Sequence, residues 1–258
     1  MEKVKVSAIV LTYNEEKNIK RCLESLKWAD EIVIVDSFST DKTLEICSRY
    51  SAKIFQREFD GFASQRNFAL TKASNEWVLI VDADEEVTPD LSREIKEAIS
   101  RDNGEVDGYY IMRNNFWFGK HLRYGVNSKD YGFRLFKKDK VVYTKEIHEV
   151  PTVNNGRFKY LKGCIVHYSY TTLSHYFFKL NLYTDIESKE MVKKEVKISR
   201  SRIFFWPVLR FFWAFFIKRG WKDGLIGFLV SLCGSIYMLT KYMKYIELLK
   251  LWKYADRH

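Results

Sequence analysis

The chain has 258 residues, 16% of them aromatic, and a net charge of +10; this is room for one sizeable domain plus an appendage. The charge is uneven, +7 over residues 201–258 and +3 over residues 1–200, so most of the chain lacks the basic surface of a nucleic-acid-binding module, whereas its basic, aromatic end suits an anionic surface. Cys22, Cys47, Cys164 and Cys233 have no paired ligand spacing and read as reduced, buried thiols of a cytosolic protein rather than a metal or disulfide framework.

The apolar run Val6–Leu11 reads as a first buried strand. It passes into Thr12-Tyr-Asn-Glu-Glu16 rather than a small-residue cleavage site, so no signal peptide is expected. A helix over about Asn18–Leu26 follows, with Ile19, Cys22, Leu23 and Leu26 at helical spacing. Glu31–Asp36 is a second strand ending in an acid. Ser37–Asp41 has loop and N-cap chemistry, then come a helix over Lys42–Tyr50 and a third strand over Ala52–Gln56. A helix over Phe62–Ala73 carries Gln65-Arg66-Asn67, and Trp77–Val81 is a fourth strand that stops at Asp82-Ala83-Asp84.

Strand and helix alternating in this way predict a parallel sheet with helices on both faces and a ligand site beyond the carboxyl ends of the strands. Three of those ends carry polar clusters: Thr12, Asn14 and Glu15; Asp36 with Ser39 and Asp41; and Asp82 with Asp84. Two carboxylates leaving one strand end together would repel and lose hydration. A divalent cation held between them and an anionic ligand removes that conflict. The plainer reading makes Asp84 and Glu85 caps of a helix starting near Pro89. No Gly-X-Gly-X-X-Gly follows the first strand and there is no Gly-Lys-Ser/Thr loop, so neither a dinucleotide fold nor a P-loop ATPase is supported.

The stretches Ser7–Glu16, Val35-Asp-Ser-Phe-Ser-Thr-Asp-Lys-Thr43, Gln65-Arg-Asn67 and Val81-Asp-Ala-Asp84 resemble, in order and spacing, the signatures of family 2 glycosyltransferases. The resemblance implies a GT-A fold, α/β with a mainly parallel central sheet flanked by helices. It also implies a nucleotide-diphosphate sugar donor, Mg2+ or Mn2+, and inversion at the anomeric carbon. Carried over by motif, Thr12, Tyr13, Asn14 and Glu15 would line the base and ribose pocket, and Asp36 would contact the nucleoside. Arg66 would lie near the base or diphosphate, Asp82 would face the ribose or sugar, and Asp84 would bind the metal. Many members have Asp-Asp-Gly-Ser where this chain has Asp36-Ser37-Phe38-Ser39.

Beyond residue 107 the pattern is mixed and sheet-rich. Gly108–Arg113 and Phe133–Phe136 are strand candidates, and Asn114–Asn127 reads as a loop over the site. An inverting transfer needs a base for the acceptor hydroxyl, expected across the sugar from Asp84 and so from this half. Glu149 is the candidate, because His-Glu before an apolar-Pro turn resembles the lipopolysaccharide-core branch of the family; His148 is the alternative base, and a surface ion pair the plain reading of Glu149. His167, ending an apolar run, is either a further metal ligand or a satisfied core histidine. Arg134 could hold an acceptor or phosphate, or simply form a surface pair.

Tyr176–Val196 reads as a polar helix. Ile203–Ile217 follows, 15 residues interrupted by Pro207 and Arg210, and then Gly224–Thr240, 17 residues without a charge. The first is too short and too interrupted to span a bilayer and the second is at the lower limit. Trp206, Trp213, Trp221 and Trp252 with flanking Lys and Arg suit a membrane–water interface. Interfacial helices are expected, with a shallow hairpin or span, or a soluble helical cap or dimer surface, as the alternatives. The chain thus divides into a donor half (1–106), an acceptor half (107–175) and a C-terminal helical membrane-associating extension (176–258).

The resemblance to the lipopolysaccharide-core branch implies transfer of a hexose, glucose from UDP-glucose, to a membrane-anchored glycolipid such as the lipopolysaccharide inner core, at the cytoplasmic face of the inner membrane. Transfer to a polyprenyl-phosphate or to a capsule or O-antigen precursor is the enzymatic alternative, and a non-catalytic membrane or nucleic-acid-binding module the non-enzymatic one.

Overall fold

A computed structural model describes residues 4–144 and 156–255. The chain forms two compact units, Met1–Asn114 with Asp130–His167, and Asn115–Lys129 with Tyr168–His258.

The first unit opens with β1 (Val6–Thr12), α1 (Ile19–Ser25), β2 (Glu31–Asp36), α2 (Thr43–Cys47), β3 (Lys53–Gln56), α3 (Phe62–Lys72), β4 (Trp77–Asp82), β5 (Glu85–Val87) and α4 (Pro89–Ser100). After these come β6 (Gly108–Trp117), β7 (Lys120–His121), β8 (Lys129–Lys137) and β9 (Phe158–Tyr170). The strand order is β3-β2-β1-β4-β8-β6-β9-β5, with β7 against β6. β1 pairs in parallel with β2 and β4, and β2 with β3. The later strands bring antiparallel pairing, β8 to β4 and β9 to β5.

The continuous apolar runs of β1 and β4 follow from burial on both faces. Alternation sends Val6, Ala8, Val10, Trp77, Leu79 and Val81 into one core cluster and Ile9, Val78 and Ile80 into another. The first cluster is completed by Ile19, Cys22 and Leu23 of α1 and by Leu91, Ile95 and Ile99 of α4. The second takes Ala63, Ala69 and Leu70 of α3 with Phe133 and Phe136 of β8. α4 starts with Pro89 behind the N-cap Thr88, whose side chain accepts from Leu91 N–H. It packs so closely on β9 that a Cβ on Gly163 would stand 2.7 Å from Leu91 Cα.

In the second unit, β6 ends and hairpins into β7, which makes the expected loop over Asn114–Asn127 partly strand. The tail forms α5 (Leu173–Lys193) and α6 (Arg200–Phe212), then a wider π-type turn over Trp213–Ile217, a 3-10 turn over Gly220–Asp223 and α7 (Gly224–Ala255). The segments expected to be separate at 224–240 and 241–253 are one helix. By length and composition, Gly220–Leu249 is able to cross a membrane. In this unit α7 is held to α5 by Lys241–Glu187 and Lys244–Asp185 pairs at 2.8 and 2.6 Å and by Tyr237 Oη donating to Glu187 at 2.6 Å. Trp117, Leu122, Tyr176, Leu180, Val230 and Cys233 form its core.

Candidate active site at the strand ends

The carboxyl ends of β1 and β2 are tied together. Ser37 N–H donates to Thr12 O, Asn14 N–H to Ser39 Oγ at 2.9 Å, and Thr40 N–H to Asn14 Oδ1 at 2.8 Å. Glu15 N–H donates to Thr43 Oγ1 at 2.8 Å, and the Glu15 carboxylate accepts from Asn18 Nδ2. Asp36 is fully buried and accepts from Ser39 N–H and Oγ, so its carboxylate shapes the loop that follows it. Asn14 and Phe38 both adopt left-handed backbone, φ 52° and 60°. Phe38 stands where the family pattern has glycine, and a non-glycine residue there costs on the order of 1 kcal/mol. Tyr13 and Phe38 are exposed at these two ends; Thr12 is buried, and its Oγ1 has no hydrogen-bond partner among the described residues.

At the end of β4 the acids are met by arginines. Arg66 of α3 reaches Asp82 Oδ1 at 3.2 Å, and Arg134 of β8 reaches Asp82 Oδ2 and Glu85 Oε1 at 3.1 Å each. Arg113 of β6 joins Glu85 at 3.1 Å and also pairs with Asp130. Glu85 is fully buried and its Oε2 accepts from Asp82 N–H at 2.9 Å. Burial alone would raise the Asp82 pKa, but Arg134, Arg66 and Arg113 outweigh it and hold the carboxyl well below the usual carboxylate range. Burial opposes charge on Arg134 too, and Glu85 and Asp82 more than restore it. The conflict expected between neighbouring acids is therefore relieved at Asp82 by guanidinium groups.

Asp84 lies in the turn between β4 and β5, and His167 of β9 stands opposite Glu85 in the β5–β9 register. His167 Nε2 is 3.6 Å from Asp84 Oδ1. Burial would lower the His167 pKa, but Asp84 and then Glu85 raise it. Among the described residues no group of three or more His, Cys, Asp or Glu side chains is arranged to hold a metal. The Asp84 carboxylate nevertheless suits Mg2+ or Mn2+, and the softer Mn2+ tolerates the imidazole beside it better than Mg2+ does; both ions bind nucleotides through few protein ligands and complete their shell with phosphate oxygens and water.

Two plainer expectations give way. Thr88, not Asp84 or Glu85, caps α4. Arg134 is buried between two acids rather than making a surface pair. All four cysteines are free thiols; Cys22, Cys47 and Cys233 are buried, and Cys164 is half-buried and accepts from Asn114 Nδ2. Glu149 and His148 lie outside the described residues. The sequence reading missed Glu85, Arg113 and Asp130. Its available signals were the second acid after Asp84 and an arginine closing the strand candidate Gly108–Arg113.

Residues 7–165 match the model of the family described as Glycosyl transferase family 2, and the chain belongs to that family. It is a glycosyltransferase with the GT-A fold. An uncharacterised glycosyltransferase of Rickettsia felis is 31% identical, over 96% of this chain and 89% of the relative. The lipopolysaccharide core biosynthesis glycosyltransferase LpsC of Rhizobium meliloti is 28% identical, over 91% of this chain and 89% of its own length. Among solved structures, the mannosyltransferase PcManGT of Pyrobaculum calidifontis, in complex with GDP-Man and Mn2+, superposes with a TM-score of 0.55 at 15% identity, covering 95% of this chain and 88% of that one.

Proposed function

We propose that this glycosyltransferase moves a hexose, glucose from UDP-glucose, onto a membrane-anchored glycolipid of the lipopolysaccharide-core type, with inversion and with Mg2+ or Mn2+. The observation that carries the reading is the turn at Asp82-Ala83-Asp84, where one acid is fixed by Arg66 and Arg134 and the next faces His167. The name of the LpsC relative favours the acceptor class. The Mn2+ and nucleotide sugar bound by the mannosyltransferase of like fold agree with a metal-assisted donor site.

In this reading residues 1–106 hold the donor. Thr12, Tyr13, Asn14 and Glu15 line the base and ribose pocket, Asp36 meets the nucleoside through the Ser39 loop that it shapes, and Asp82 faces the ribose or sugar. Arg66 and Arg134 keep Asp82 ionised and in place. Asp84 and His167 would hold the cation, whose chemistry is to offset charge on the departing diphosphate. Residues 107–175 supply the acceptor side, with Glu149 as the base that deprotonates the acceptor hydroxyl and His148 as the alternative. Residues 201–258 rest on the cytoplasmic face of the inner membrane. The exposed apolar side chains Phe204, Phe205, Trp206, Leu209, Phe212 and Ile217 support that contact.

Calorimetric titration with nucleotide diphosphates and nucleotide sugars, each with Mg2+, Mn2+ or chelator, tests the reading. UDP and UDP-glucose should bind only with a cation, and Asp84→Ala should abolish that binding. Cation-independent UDP binding by that variant would remove Asp84 from the metal. Glu149→Gln should bind donor normally and lose transfer; unchanged turnover would move the base elsewhere.

A further inference from the structure

Arg210 sits in the last turn of α6, in a stretch whose other side chains from Ile203 to Ile217 carry no charge. Its Nε donates to Gly234 O of α7 at 3.1 Å. A Cβ on Gly234 would stand 3.1 Å from that Nε and 3.2 Å from Nη2, so the glycine makes room for the guanidinium. The group borders a small cleft lined also by Tyr124, Asn127, Gly220, Gly227 and Ser231. The cleft, about 10 Å3, admits roughly one water.

Arg210 is half-buried, and a guanidinium so placed beside apolar helices favours an anion as its partner. Among the described residues Arg210 forms no ion pair with a carboxylate. Asp223 is near the cleft, since a Cβ on Gly227 would stand 3.0 Å from its Cβ, but its carboxylate is committed to the backbone N–H groups of Arg123 and Tyr124. Trp206, Leu209, Trp213 and Ile217 of the same segment are exposed. Arg202 stacks on Trp206 and Lys218 on Trp213, each with its cation 5.0 Å from the ring centroid. An anion that meets Arg210 beside such a face would suitably carry hydrocarbon of its own.

We propose that Arg210 binds the phosphate group of a membrane lipid at the mouth of this cleft, beside Tyr124 and Asn127, with the lipid chains against the exposed aromatic face of α6. The inference rests on the membrane contact proposed above and assigns it a specific anion site.

The test uses the full chain in cosedimentation with vesicles of phosphatidylcholine alone or doped with phosphatidic acid. Phosphatidic acid should raise binding of the natural chain. Arg210→Gln should lose that rise by at least about tenfold, Arg210→Lys should keep most of it, and Lys218→Gln should cost no more than about fivefold. If the natural chain binds no vesicle, the membrane reading falls and the site with it. If it binds both vesicles alike, or if Arg210→Gln retains the full rise, only the phosphate site falls.

A second measurement needs no variant to fold. Phenylglyoxal labelling of Arg210, read by mass spectrometry, should be blocked by soluble dihexanoyl phosphatidic acid and not by the same concentration of inorganic phosphate. Protection by neither overturns the site, and equal protection by both overturns its assignment to a lipid.

Discussion

His167 Nε2 lies 3.6 Å from Asp84 Oδ1, brought there by the antiparallel pairing of β5 with β9. The pair joins a turn residue to one more than eighty positions later in the chain. If it holds the cation, His167→Ala should weaken Mn2+-dependent UDP binding by about 10–100-fold and leave the melting temperature without metal little changed. Calorimetry with and without Mn2+ checks this, and unchanged Mn2+ dependence would return His167 to the role of a core histidine.

Arg134 should matter to stability before it matters to chemistry. It is the shared partner of Asp82 and Glu85. Arg134→Met would leave two acids short of a counter-charge in a buried setting, a loss of about 3–5 kcal/mol. Thermal unfolding is the measurement, and a loss below about 1 kcal/mol would show that Arg66 and Arg113 suffice.

Acid should find a weak point at Glu31, at the start of β2. Burial would raise its pKa, but Lys53, Ser7 and Ser74 hydrogen-bond the carboxylate and hold it at about 2. A carboxyl depressed by folding contributes stability that is present above the unfolded value of 4.5 and lost as pH falls towards about 2. Glu31→Gln should therefore cost on the order of 3 kcal/mol near neutrality. Denaturation series for both chains should converge between pH 4.5 and 2.

Asp223 should act as a clasp in the second unit. Its carboxylate accepts from Arg123 N–H and Tyr124 N–H at 3.1 and 2.9 Å, and its carbonyl oxygen accepts from Lys120 Nζ at 2.6 Å. Asp223→Ala removes the carboxylate contacts, each worth about 1.5–3 kcal/mol. Trypsin should then cut after Arg123 several-fold faster, as followed by mass spectrometry. An unchanged cleavage rate would mean that Trp117 and Leu122 in the core hold the segment unaided.

The parallel half of the sheet was legible because its signals are local. Apolar runs ending at Thr12, Asp36 and Asp82 mark parallel strands and their carboxyl ends together, and the observed β1–β2 and β1–β4 registers follow that pattern. Glu85 and Arg113 were not legible, because what makes them partners is antiparallel pairing and contact between segments far apart in sequence. Arg134 read as surface because an arginine in an alternating strand usually is, and only the nearby acids explain its burial. The continuity of α7 through Lys241 and Lys244 was hidden for a related reason: both lysines are matched by acids on α5.

The second unit is assembled from two separate pieces of chain, residues 115–129 and the tail beyond 168. Trp117 and Leu122 lie in the same core as Val230 and Cys233, and Asp223 closes on Arg123 and Tyr124. The tail is therefore not an interchangeable part. A chimaera that borrows it from a relative must borrow the segment at 115–129 as well, or each half of the graft will present a surface shaped for a partner left behind.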